Sequence, residues 1–152
     1  MKDTIVSIST PLGKGAIAIV RLSGVDSLKI AQQIFYAKGI EDPQPRYMYF
    51  GKLKIQDSCE ECLMVYFKAP FSFTGEDIVE FQVHGGVLLA QKVVEALLVC
   101  GARLAEAGEF SKRAFLNGKI TLDKAEAIIG EINAETEGEL KSSLQVTNGR
   151  LA

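Results

Sequence analysis

The run Ile78 to His84, IVEFQVH, constrains the fold of this chain more than any other: it alternates with a period of two and then stops at Gly85-Gly86. Successive side chains on a strand point to opposite sides, so Val79, Phe81 and Val83 face one way and Ile78, Glu80, Gln82 and His84 the other. One side belongs to a core and the other is polar. Apolar residues then dominate from Val87 to Cys100, which reads as a largely buried helix closed by Gly101 in the C′ position, with Arg103 to Ala105 as a short strand after it.

The same patterning extends in both directions. Thr4 to Ile8 is short and β-branched, Thr10-Pro11-Leu12-Gly13-Lys14-Gly15 breaks it, and Ala16 to Leu22 resumes as a second strand. Arg21 shares a side with Ile17 and Ile19, where a lone guanidinium needs a carboxylate or a ligand. Leu28, Ala31, Ile34 and Phe35 recur at helical spacing, with Asp26 or Ser27 available as a cap. After a loop carrying Pro43 and Pro45, Tyr47 to Ile55 and Cys62 to Phe67 read as a hairpin through a polar turn around Asp57-Ser58. A loop with Pro70 and Gly75 leads into Ile78.

Glu109 to Leu116 reads as one more short helix, capped by Asn117-Gly118. From a Thr121 cap, Leu122, Ala125, Ile129, Ile132, Thr136, Leu140 and Leu144 then lie three or four apart, which predicts one helix of roughly 25 residues. Mixed patterning thus gives way to pure helix near Lys119. The expected organisation is an α+β domain with a mixed sheet at residues 1–118, and at 119–152 the first helix of a separate helical domain, truncated because no later helix covers its apolar stripe.

With 152 residues, 47% of them hydrophobic, there is material for a real core. A formal charge of -2 is unlike the footprint of a protein that grips phosphates over a large area, so direct nucleic-acid binding by this segment alone is not indicated. The first residues lack the basic stretch and apolar run of a signal peptide, and no segment has eighteen uninterrupted apolar residues, so the expected location is the cytoplasm with no membrane contact. Cys59, Cys62 and Cys100 are an odd count, which argues for reduced thiols.

Cys59 and Cys62 form a lone CxxC that could be assembled with His84 and Cys100 into four zinc ligands, but the spacing is not that of a finger or ribbon, and incidental thiols are the preferred reading. His84, the sole histidine, has no nucleophile placed beside it by any motif and is better read as a hydrogen-bonded residue where strand turns into helix. TPLGKG lacks the spacing of a phosphate-cradling loop and runs into a strand, so GTP binding by this segment is not expected. Phe110, Arg113, Phe115 and Asn117 surround the basic doublet Lys112-Arg113, where packing is favoured over a nucleic-acid contact. No catalytic residue and no metal site is assigned.

Three blocks, DTIVSISTPLGKGAIAIVRLSG, FSFTGEDIVEFQVHGG and GARLAEAGEFSKRAFLNGKITLDKAEA, closely resemble the amino-terminal part of the MnmE (TrmE) family of tRNA-modifying GTPases. The departures are Leu12 and Ala107 where proline is usual and Thr121 where aspartate is usual. The resemblance covers the whole chain and about the first third of a family member. It implies a fold like the folate-binding domain of aminomethyltransferases, a homodimer, and a bound 5-formyl- or 5,10-methylene-tetrahydrofolate. In the full-length enzyme it implies GTP, Mg and K as cofactors, the flavoprotein MnmG (GidA) as partner, and modification of the wobble uridine of tRNA at C5. The family's folate contacts carry over to Arg21, Glu80 and Lys119. A pterin offers an amine and a ring N–H side by side, a donor pair that the Glu80 carboxylate can accept, while Arg21 and Lys119 suit the formyl group and the carboxylate tail in either assignment. The plainer alternative is a structural Arg21–Glu80 ion pair beside a solvated Lys119.

Overall fold

The computed structural model describes residues 3–9 and 17–131. Its elements are β1 (Ile5–Ile8), β2 (Ile17–Ser23), α1 (Ser27–Gln32), β3 (Phe35–Tyr36), β4 (Met48–Ile55), β5 (Ser58–Phe67), β6 (Ile78–His84), α2 (Gly86–Val99), β7 (Arg103–Leu104) and α3 (Glu109–Leu116). A further helix, α4, runs over 122–131. The strands form one mixed sheet in the order β3-β4-β5-β6-β2-β1-β7, antiparallel except for β1 against β7. This is an α+β fold, as the patterning predicts. The chain divides into two compact units, Met1–Ala105 and Glu106–Ala152. That division lies ahead of α3, whereas the boundary read from patterning lies after it.

In the first unit the period of two assigns each strand residue to a side. Val6, Val20, Leu22, Met64, Val79, Phe81 and Val83 form a continuous buried layer, closed from above by Ile30 and Ala31 of α1 and by Ala90, Val93, Val94 and Leu97 of α2. Each large side chain so buried stabilises the fold by about 1.5–3 kcal/mol relative to exposure.

Three local readings change. The helix after Gly24 ends at Gln32, and Phe35 instead opens an edge strand in which it pairs with Leu53. There its ring meets Phe81 at 5.6 Å, so burial against the sheet outweighs helical spacing. Neither Asp26 nor Ser27 caps α1 through its side chain; the Ser27 hydroxyl donates to the carbonyls of Gly24 and Asp77 at 2.9 and 3.0 Å. The hairpin turn falls on Gln56-Asp57 and β5 begins at Ser58, earlier than expected, because Gln56 takes the left-handed conformation (φ 52) that a tight turn requires.

Two glycine positions fix how these elements meet. At Gly24 (φ +142) an added Cβ would sit 2.6 Å from the Cα of Thr4, so only glycine lets the end of β2 pass the start of β1. Gly85 and Gly86 (φ 127 and 81) turn β6 directly into α2. The far end of α2 closes with Gly101 N–H on Leu98 O and Ala102 N–H on Leu97 O, both 3.1 Å, the paired bonds of a left-handed cap.

The second unit repeats this grammar. The Glu109 carboxylate accepts from Glu106 N–H at 2.9 Å ahead of α3, and Gly118 N–H and Lys119 N–H close it on Phe115 O and Ala114 O at 3.0 and 2.8 Å. Thr121 Oγ1 accepts from Lys124 N–H at 3.2 Å, the expected cap of α4. The later positions of the long helix, Ile132, Thr136, Leu140 and Leu144, lie outside the described residues, as does the TPLGKG loop with Lys14.

Candidate functional site on the side of the sheet away from α1 and α2

The strand order sets β2 beside β6, and the antiparallel register places Arg21 directly opposite Glu80. Residues so paired share a side of the sheet, here the one that carries neither α1 nor α2. Arg21 donates from Nε to Glu80 Oε2 at 2.8 Å, and its Nη2 lies 2.7 Å from the same oxygen. Glu80 Oε1 takes no part in this pair. The two side chains retain 25% and 15% of their surface, so the pair is half-sheltered and open on one side. Hydrogen bonds to charged groups of this kind contribute about 1.5–3 kcal/mol.

The surroundings are mixed. Ser7 of β1 lies opposite Arg21 and Val65 of β5 opposite Glu80. Ile19 and Gln82, paired with each other, occupy the next row. Phe73, from the segment between β5 and β6, places its ring 6.0 Å from the Arg21 guanidinium carbon, at the outer reach of a cation–π contact.

That segment is tied down by buried hydroxyls. Ser23 and Thr74, both fully buried, meet at 2.7 Å, and Ser23 donates to Glu76 Oε1 at 2.8 Å, so Thr74 supplies the proton of the bond they share. Ala69 N–H donates to Asp77 Oδ1 at 2.8 Å, and Gly24 N–H to Asp77 O at 2.9 Å. Burial pushes the Tyr66 hydroxyl above its usual pKa, and the neighbouring Asp77 charge and its hydrogen bond push the same way. Together these contacts hold residues 68–77 against the end of β2 beside the ion pair.

Of the three residues singled out from the sequence, Arg21 and Glu80 are thus brought together. Lys119 lies in the second unit, its backbone closing α3 and its side chain exposed. Arg113 pairs with Glu109 at 3.5 Å and is mostly buried, which leaves Lys112 as the exposed half of the basic doublet. His84 is exposed and its side chain makes no hydrogen bond among the described residues, unlike the anchored residue its position suggests. Cys59 and Cys62, three apart on β5, point to opposite sides of the sheet, so they cannot grip one ion. Burial raises the Cys62 thiol to about 12, and the Cys100 thiol is raised for the same reason. The residues that sequence reading missed are Ser23, Phe73 and Thr74; the available signal was the density of hydroxyls and carboxylates between Pro70 and Ile78.

The side of the sheet thus offers a half-sheltered carboxylate with one oxygen uncommitted among the described residues, a guanidinium and an adjacent ring. Among the described residues, the site brings no nucleophile beside a base. A family model described as the GTP-binding protein TrmE N-terminus matches residues 4–119. The chain is 47% identical to the tRNA modification GTPase MnmE of Fervidobacterium nodosum, with 99% of this chain and 34% of that protein covered. It is 45% identical to the MnmE of Lactococcus lactis subsp. cremoris and 44% identical to that of Listeria welshimeri, with 99% of this chain and 33% of each relative covered. The chain belongs to the TrmE amino-terminal family, and it spans about a third of the length of these relatives. Among the described residues, no helix is long and apolar enough to cross a membrane.

Proposed function

We propose that this chain binds a reduced one-carbon folate, 5-formyl- or 5,10-methylene-tetrahydrofolate, and dimerises through the side of the sheet that carries the Arg21–Glu80 pair. The observation that carries the reading is that pair itself: two long-range partners, set side by side by strand register, with the second carboxylate oxygen uncommitted among the described residues. Glu80 accepts the amine and ring N–H of the pterin, which requires Arg21 to yield part of its hold on Oε2. Arg21 and Lys119 serve the formyl oxygen and the tail carboxylates. The proposed domains are a folate and dimerisation domain at 1–118 and the start of a helical domain at 119–152.

The dimer reading draws on Met48, Phe50 and Ile17, large apolar side chains left exposed on the same side of the sheet as the Arg21–Glu80 pair. In the whole protein we propose that this module serves a cytoplasmic GTPase using GTP, Mg and K, which works with MnmG on the wobble uridine of tRNA. The relatives' name, tRNA modification GTPase, supports that context.

Calorimetry with 5-formyltetrahydrofolate tests the site. Micromolar binding by the unaltered chain, lost in Glu80→Ala and reduced in Arg21→Gln, is the expected result. Binding that survives Glu80→Ala unchanged sinks the assignment and leaves the Arg21–Glu80 pair as structural. Sizing the chain with and without the folate tests the dimer.

A further inference from the structure

We infer that Phe73 is the stacking wall of this site, the residue that holds the flat ring of the ligand while Glu80 holds its edge; the inference rests on the folate reading above. Phe73 lies outside the buried core and keeps 39% of its surface exposed, although its immediate neighbours are immobilised. On one side Ser72 Oγ donates to Glu76 O at 2.5 Å, and on the other Thr74 is fully buried against Ser23. A phenyl ring fixed between two tethered residues and left partly in water contributes little to folding, yet it is ready to cover an apolar ring without further loss of chain entropy.

The spacing says how. A ring sandwiched between Phe73 and the guanidinium would need about 7 Å, two stacking separations of roughly 3.5 Å. The observed 6.0 Å is too short for that. The heterocycle therefore lies beside the guanidinium, its edge on Glu80 and its face on Phe73, in the offset arrangement aromatic rings prefer. Phe71, also exposed but with no ring or cation contact among the described residues, is not part of the wall.

The test compares 5-formyltetrahydrofolate binding by calorimetry in the unaltered chain and in Phe73→Leu, Phe73→Trp and Phe71→Leu. Phe73→Leu keeps bulk and loses the π-face; the expected result is binding about five- to tenfold weaker, consistent with the worth of a stacked aromatic contact, with an unchanged melting temperature. Phe73→Trp keeps affinity within about twofold, since a larger π-face stacks at least as well, and as the chain has no other tryptophan its emission reports directly on the ring. Saturable quenching at the calorimetric affinity is expected. Phe71→Leu binds like the unaltered chain. Equal binding by Phe73→Leu, or tryptophan emission indifferent to bound folate, overturns the stacking wall while leaving the folate reading intact. No binding by the unaltered chain overturns both.

Discussion

The two sides of the sheet are built from the same strands, residue by residue in alternation, and they have opposite properties. Beneath α1 and α2 the strands present Val20, Leu22, Val79, Phe81 and Val83, packed without a polar interruption. On the other side the same strands present Arg21, Glu80 and Gln82. One side therefore supplies stability, and the other carries charge where neither α1 nor α2 lies over it. A one-residue slip in register would exchange the two.

The sharpest way to break the comparison is at adjacent positions of β6. Phe81→Ala is expected to cost about 3–5 kcal/mol in denaturant unfolding, because it opens a cavity under Phe35 in a close-packed layer. A loss below about 1 kcal/mol would mean that the packed side is not what holds the domain together. Next in size is an alkaline effect confined to Cys62. Its folded thiol titrates near 12 and its unfolded thiol near 9, so the folded state holds the proton longer. Stability from this group is present below pH 9 and falls as pH rises toward 12. Between pH 9 and 11 the unaltered chain should lose on the order of 2 kcal/mol more than Cys62→Ala does; parallel curves would contradict the burial of this thiol.

Thr74→Val, which deprives buried Ser23 of a partner, is expected to cost about 1–3 kcal/mol and to loosen residues 68–77. Hydrogen exchange that speeds up there, with α2 unaffected, would confirm the hydroxyl tether. The smallest effect should come from Gln82→Ala, next to Phe81 but on the open side, at within about 0.5 kcal/mol. A large loss there would show that Gln82 itself is packed rather than open.

Much of this was legible because periodicity is a property of the chain. The strand Ile78–His84 and its two sides, the Gly101 and Gly118 helix closures and the Thr121 cap all follow from local spacing and backbone chemistry. The short edge strand at Phe35 was not legible, because its helical spacing is outweighed by a ring contact with a residue far along the chain. Nor was the Ser23–Thr74–Glu76 tether, in which Ser23 lies more than fifty positions from both partners and no pattern links them.

The sequence by itself determined which residues alternate, where helices stop, and that Arg21 needs a partner on its own side of β2. Only the tertiary structure decided that the partner is Glu80, since β2 and β6 become neighbours through strand order, and that the Phe73 ring comes within 6.0 Å of the Arg21 guanidinium. Local propensity acts over a few residues, whereas pairing across 59 positions is settled by which whole arrangement buries the apolar side while, among the described residues, no buried polar side-chain atom is left without a partner.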